Sequence, residues 1–157
     1  MTHFLTLQSV EDILARIREF SPLPPESVPL EHCLGRTLAE RFTAPEDLPG
    51  FDRSTMDGFA VRAKDVFGAS EGSPALLDSL GECSMGMAPD IRIGPGQTAR
   101  IWTGGMMPEG ADAVVMLEYA RSAGAGQVEL TRPVAPGDHV LVRDEDARAG
   151  QELIPAG

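Results

Sequence analysis

The strongest constraint on the fold of this chain is a rhythm. From Ala44 onward, short β-prone runs are broken every few residues by clusters of Gly, Pro, Asp and Ser. Extended candidates fall at 58–62, 75–80, 98–102, 113–118, 127–131 and 139–142. None is long enough for a helix of ordinary length, and no helical pattern alternates with them, so βαβ winding is disfavoured. The 17 Gly and 13 Pro are too many for a helical protein and supply the turns this rhythm needs. Ala123-Gly124-Ala125-Gly126 reads as a hairpin tip in which Gly provides positive φ. The expected class is α+β and β-rich, with a compact barrel-like or sandwich-like unit.

The first forty residues differ. Val10, Ile13, Leu14, Ile17 and Phe20 recur at helical spacing, with Glu11, Asp12, Arg16, Arg18 and Glu19 on the other faces, which predicts an amphipathic helix over 9–20. Ser9 is the expected N-cap and Asp12, three residues on, its capping-box partner. Pro22, Pro24, Pro25 and Pro29 forbid continuation. One further turn is expected over 30–34, stopped at Gly35, and a strand over 37–43.

Charge and composition exclude several function classes. The formal net charge is −11, from 13 basic and 24 acidic residues. Such a chain, with no basic run, has no footprint for nucleic acid. Any anionic ligand would need a local site, a metal ion or another domain for its positive charge. Cys33 and Cys83 are far apart, and His3, His32 and His139 lack ligand-spaced companions, so two reduced structural cysteines are expected and no zinc site. The start carries no signal-like segment and no apolar run approaches ~18 residues. A soluble, cytoplasmic chain without a membrane partner is the expectation.

Two segments are polar and Gly-rich in a way that core packing does not explain. The first, Pro49 to Val61, presents Asp52, Arg53, Ser54, Thr55 and Asp57 within a few residues, pinned by Phe51 and Met56 and by a strand from Gly58. The second, Ala99 to Val115, ends a strand at Thr103 and turns at Gly104-Gly105, where backbone amides can form an anion-binding concavity. On residue chemistry alone a plain turn is the better account of each. No phosphate-binding P-loop, nucleophile elbow or H-E-x-x-H occurs. Gly94-Pro95-Gly96 lacks an N–H where a phosphate loop needs one, and Asp144-Glu145-Asp146 reads as a solvated face more readily than a cation site.

Taken together and in order, the two segments resemble the molybdenum-insertase (molybdopterin molybdenumtransferase) family, which includes the gephyrin C-terminal region. Pro49 to Val61 is similar to its P-x-F-D-x-S-x-M-D-G-[YF]-A-[VL] signature. Arg100 to Val115 is similar to its R-I-x-T-G-x-x-x-P-x-G-A-D-x-V-V segment. Leu34 to Ala39 and Gly137 to Gly157 resemble further family stretches, so the resemblance, to the N-terminal portion of the family, spans nearly the whole chain. Gly105-Met106-Met107 departs from a more usual Ala-Pro-Val-like stretch, and Asp144 stands where the family commonly has Gly.

The resemblance implies an elongated α/β domain from 1–44 and 143–157, discontinuous and incomplete, with a β-rich domain inserted over 45–142 and a third, cofactor-binding domain absent. It implies an enzyme that inserts molybdenum from molybdate into adenylylated molybdopterin with release of AMP, assisted by Mg2+. It further implies a homodimer, a molybdopterin adenylyltransferase as pathway partner, and an inactive fragment when this chain stands alone. The same fold also serves as a non-catalytic dimerisation or anchoring scaffold, or as a binding module, which is the alternative. Asp57 matches the family's functional aspartate, catalytic and metal-holding; Thr103 matches its Thr/Ser, suited to a phosphate or molybdate oxygen. Ser54, Arg53 and Gly104 are cofactor-binding candidates, and Glu118 is a further acidic one.

Overall fold

A computed structural model describes residues 8–21 and 23–157. His3 and Pro22, used above, lie outside them. The chain divides into two compact units: residues up to Glu40 with Ala156–Gly157, and Arg41–Pro155.

In the first unit the helix α1 runs over Val10–Ile17. The capping box forms as its residues demand: Asp12 N–H donates to Ser9 Oγ at 3.1 Å and Ser9 N–H to the Asp12 carboxylate at 3.2 Å. Beyond Ile17, Glu19 and Phe20 donate to carbonyls three residues back, so the last turn tightens instead of continuing the α-helix expected to Phe20. A single 3-10 turn covers Leu30–His32, and Gly35 follows at φ 79°.

The second unit holds ten short strands. β1 is Phe42–Thr43, β2 Arg53–Ser54, β3 Gly58–Val61, β4 Ala75–Glu82 and β5 Gln97–Ile101. β6 is Ala113–Met116, β7 Ala120–Gly124, β8 Gln127–Leu130, β9 Val140–Leu141 and β10 Glu152–Ile154. Six of them form one sheet in the order β6-β3-β5-β4-β8-β7, antiparallel except at β4–β5. β1 pairs with β10 and β2 with β9 as two-stranded ribbons. The strand expected over 37–43 is confined to Phe42–Thr43, because β10 offers only three residues to pair with. β7 went unforeseen: Arg121-Ser122-Ala123-Gly124 shows no apolar alternation, as suits an exposed edge strand.

The sheet curls. Val61 and Val115 near one end share a buried cluster with Leu77, Val128 and Leu130 near the other, which a flat six-stranded sheet would not allow. β6 and β7 do not pair, so the expected barrel-like or sandwich-like unit is an open half-barrel. A second cluster, Ala60, Cys83, Ile93, Ala99, Ile101 and Val114, covers the other face. β3 and β6 are therefore buried on both sides, which explains runs such as Ala60-Val61 and Val114-Val115 where alternation is absent. Each fully buried Val, Ile or Leu contributes roughly 1.5–3 kcal/mol of transfer free energy. Cys83 is buried, Cys33 exposed, and both are free thiols. Among the described residues no helix is long and apolar enough to cross a membrane.

β3 lies between β5 and β6, and its first residue must be Gly. A Cβ at Gly58 would stand 2.1 Å from the Val115 carbonyl oxygen, which is backbone and has no rotamer to yield. Gly58→Ala is expected to cost about 3 kcal/mol or more in urea unfolding of this chain. A loss below 1 kcal/mol (a rough bound, within what a surface change costs) would mean the β3–β6 approach is looser.

Candidate functional site

The two Gly-rich segments, some fifty residues apart, meet at the end of the half-barrel. Gly104 N–H donates to Ser54 C=O at 2.7 Å, Ser54 N–H to Gly105 C=O at 2.9 Å, and Met107 N–H to Asp52 C=O at 2.9 Å. This main-chain ladder does the pinning expected of Phe51 and Met56, which are both exposed. The turn between Trp102 and Gly105 closes by Gly105 N–H to Trp102 C=O at 2.8 Å, with Gly104 at φ 84° as a type II turn requires.

That turn delivers Thr103 to Asp57. The Thr103 N–H and the Thr103 hydroxyl both donate to Asp57 Oδ1, at 2.8 and 2.7 Å. Both residues are exposed. These two bonds, the backbone one foremost, hold the Asp57 carboxyl below its ordinary value, and the nearby Arg100 charge acts the same way. Among the described residues no donor reaches Oδ2, so one carboxylate oxygen is free. Because the Thr103 hydroxyl spends its proton on Asp57, it faces an incoming group with lone pairs.

The other candidates separate. Ser54 is buried, its hydroxyl donating to Met56 C=O at 2.5 Å and accepting Met56 N–H at 3.2 Å, so it shapes the loop from within. Arg53 is half-buried in β2, bridged to Met106 and paired with Leu141. Gly104 enters through its backbone. Glu118 lies on the 3-10 turn Leu117–Tyr119, after β6 has ended at Met116. Among the described residues no three His, Cys, Asp or Glu groups converge as a metal cluster.

A third segment supports the first in a way that motif reading missed. Arg143 N–H donates to Asp52 Oδ1 at 2.7 Å, while its guanidinium reaches Asp47 Oδ2 at 2.5 and 2.8 Å. Asp47 Oδ1 accepts Ala149 N–H at 2.8 Å, and this bond, then Arg143, keeps the Asp47 carboxyl low. Asp144 adopts φ 61°, a left-handed conformation that Asp takes at modest cost. Its carboxylate accepts Arg148 Nε–H at 2.8 Å, and Asp146 N–H donates to Leu48 C=O at 2.9 Å; the acidic run is a clasp. Asp112 of the second segment is structural too, accepting Ala63 N–H at 2.6 Å.

Residues 8–157 match the family model described as MoeA N-terminal region (domain I and II). The chain belongs to this family. It is 42% identical over 135 residues to the molybdopterin molybdenumtransferase of Bacillus subtilis, covering 84% of this chain and 31% of that protein. The molybdopterin molybdenumtransferase of Nostoc is 40% identical over 131 residues, with 83% and 30% covered. A crystal structure of a molybdopterin biosynthesis MoeA protein from Pyrococcus horikoshii superposes with a TM-score of 0.77 at 38% identity, covering 96% of this chain and 38% of that one. The chain thus spans about a third of the length of the curated relatives it matches.

Both lowered carboxyls give stability that is present above their ordinary value of 3.8 and lost as pH falls through the lower folded-state values. The Thr103 amide resonance should therefore hold its position at about pH 4 and move only in more acidic solution. In Asp57→Asn that acid step should vanish from Thr103; an unchanged step would place its source elsewhere.

Proposed function

We propose that this chain is the N-terminal portion of an enzyme that inserts molybdenum from molybdate into adenylylated molybdopterin and releases AMP. The observation that carries this reading is the Asp57–Thr103 pair, in which two distant signature segments converge on one ionised, exposed carboxylate with a free oxygen. An ionised carboxylate beside a hydroxyl with open lone pairs is a set of hard oxygen donors. Mg2+ typically takes one or two carboxylates, leaving its other positions to substrate phosphates and water. Asp57 Oδ2 and Thr103 Oγ1 therefore fit Mg2+, and the want of a third acidic group does not count against it. When bound there, Mg2+ would supply charge neutralisation at the pyrophosphate.

The chain's own residues have separate tasks. Asp57 holds the cation side and, through Oδ2, orients a water or phosphate-bound proton. Thr103 fixes the Asp57 rotamer by its two donated bonds. Gly104 permits the turn that makes this possible, and Ser54 keeps the facing loop in shape. Arg53 is the nearest cation on the first segment, within reach of an anionic substrate arm.

The remaining elements of the reading follow from family membership. The parent protein is a cytoplasmic homodimer with the β-rich unit inserted in an elongated domain, and a third domain of the partner subunit completes the site. A molybdopterin adenylyltransferase supplies the substrate. Residues 1–157 by themselves are expected to perform no insertion, since the site needs the partner subunit's third domain.

The test uses a full-length parent carrying this region. With adenylylated molybdopterin and molybdate, Asp57→Asn is expected to cut AMP release about 100-fold or more, and Thr103→Ala about tenfold or more. Thermal unfolding should stay near that of the unaltered protein. AMP release at the unaltered rate from Asp57→Asn would remove this residue from the reaction and the reading with it.

A further inference from the structure

Next to the Asp57–Thr103 pair, a cavity of about 510 Å3 opens on the face of the sheet that carries Phe59, Arg100 and Val128. Its wall also includes Ser79, Leu117 and Arg121. Leu117 ties the cavity to the site, since its N–H donates to the Asp57 carbonyl at 2.9 Å.

Arg100 is the unusual residue in it. β3 and β5 place Phe59 directly opposite Arg100. The guanidinium carbon lies 5.4 Å from the Phe59 ring centroid and 4.4 Å from that of Trp102. Two rings thus hold the plane of the guanidinium by cation–π attraction. Glu82 lines the same cavity and pairs with Arg100 across β4 and β5, but its carboxylate accepts the Trp102 indole N–H at 2.8 Å. Among the described residues no carboxylate comes within ion-pairing distance of Arg100. Its Nε is buried with no acceptor at all. Buried N–H groups are nearly always satisfied, so an unpaired guanidinium held between two rings with its charge uncompensated suits an oxygen anion, which would meet the Nη atoms rather than the occluded Nε.

We propose that this cavity is a tetrahedral-oxyanion site in which Arg100, stacked on Phe59 and Trp102, is the binding side chain. Molybdate and a phosphoryl group share the chemistry that fits: negative oxygens spaced for the guanidinium fork. Ser79 offers a hydroxyl donor, and Arg121 a second cation at the exposed edge strand. With a net charge of −11, the chain repels anions at long range, so a local cation without a partner has to do the capture. The inference deepens the metal-insertion reading and rests on it only for which oxyanion arrives. It adds an anion receptor beside the carboxylate of Asp57.

Trp102 is the only tryptophan and its ring lies against the Arg100 guanidinium, so intrinsic fluorescence reports on the binding side chain. The purified 157-residue chain is titrated separately with sodium molybdate and with inorganic phosphate, against sodium chloride at matched ionic strength. A saturable change in Trp102 emission with either oxyanion is expected, and which one saturates first names the source. Calorimetric titration of Arg100→Met should show at least roughly tenfold weaker binding. Arg100→Lys, which keeps the charge but loses the fork, should fall between, and it serves alone if the methionine variant does not fold. The exposed Arg92→Gln should bind as the unaltered chain does. A response that only follows ionic strength, or binding that neither Arg100 variant weakens, overturns the proposal. Neither outcome touches the insertion reading, because no turnover is measured; that reading fails only on the Asp57 experiment.

Discussion

Everything in the candidate site depends on the register of β3 between β5 and β6. Gly58 faces Ile101 on one side and Met116 on the other. That alignment leaves Asp57 to emerge at the point where β5 ends and the Trp102–Gly105 turn begins. A slip of one residue would send Asp57 to the opposite face and bury a polar side chain among Ala60, Ile101 and Val114. The register is held from both faces, because β3 and β6 each contribute to both apolar clusters and β5 anchors the second through Ala99 and Ile101. It is held along the edge as well, because Gly58 alone admits the Val115 carbonyl at that distance. The conformation of the site is thus a consequence of core packing, and the loop residues have little freedom to choose another.

What was legible in the amino-acid sequence divides along the same physical line. Local signals read well. The Ser9–Asp12 capping box, the Gly35 stop, the hairpin tip within 123–126 and the six strands expected from residue 58 onward depend on neighbours within a few residues. Signals that depend on distant partners did not. β7 is a strand only because β8 presents an edge to it, and β1 is short only because β10 is short. The site shows the same division. Asp57 and Thr103 could be singled out by family resemblance, yet nothing in either segment tells that both bonds from Thr103 land on the same oxygen. The roles of Arg143 and Asp47 were invisible, since they join residues about a hundred positions apart. Only their charge is a local signal: Asp47, Asp52 and Arg143 are opposite charges in otherwise turn-like segments, where a plain turn has no need of them.

The departures from the family pattern now have a physical account. Asp144 takes a left-handed conformation with its carboxylate tied to Arg148. Asp is among the few residues that adopt this conformation at modest cost, because its short side chain can bond locally. At Gly105-Met106-Met107 the turn is closed tightly enough that a Cβ at Gly105 would stand 2.9 Å from the Trp102 carbonyl oxygen, and Met107 packs on the second cluster.

The electrostatics of the site then follow from how its hydrogen bonds are directed. Thr103 gives both its protons to Asp57, which keeps the carboxylate ionised and turns the free lone pairs of both residues outward. That half attracts cations and repels bare oxyanions. Arg100 stands close enough to lower the same carboxyl, yet forms no ion pair with it, so its own charge is left unspent. Had Arg100 bridged directly to Asp57, each would have cancelled the other and neither could act on a ligand. Their separation, kept by the two aromatic rings that hold the guanidinium, leaves a cation-seeking and an anion-seeking group side by side on an acidic chain. A metal ion accompanied by phosphate or molybdate oxygens is the kind of ligand that needs both at once.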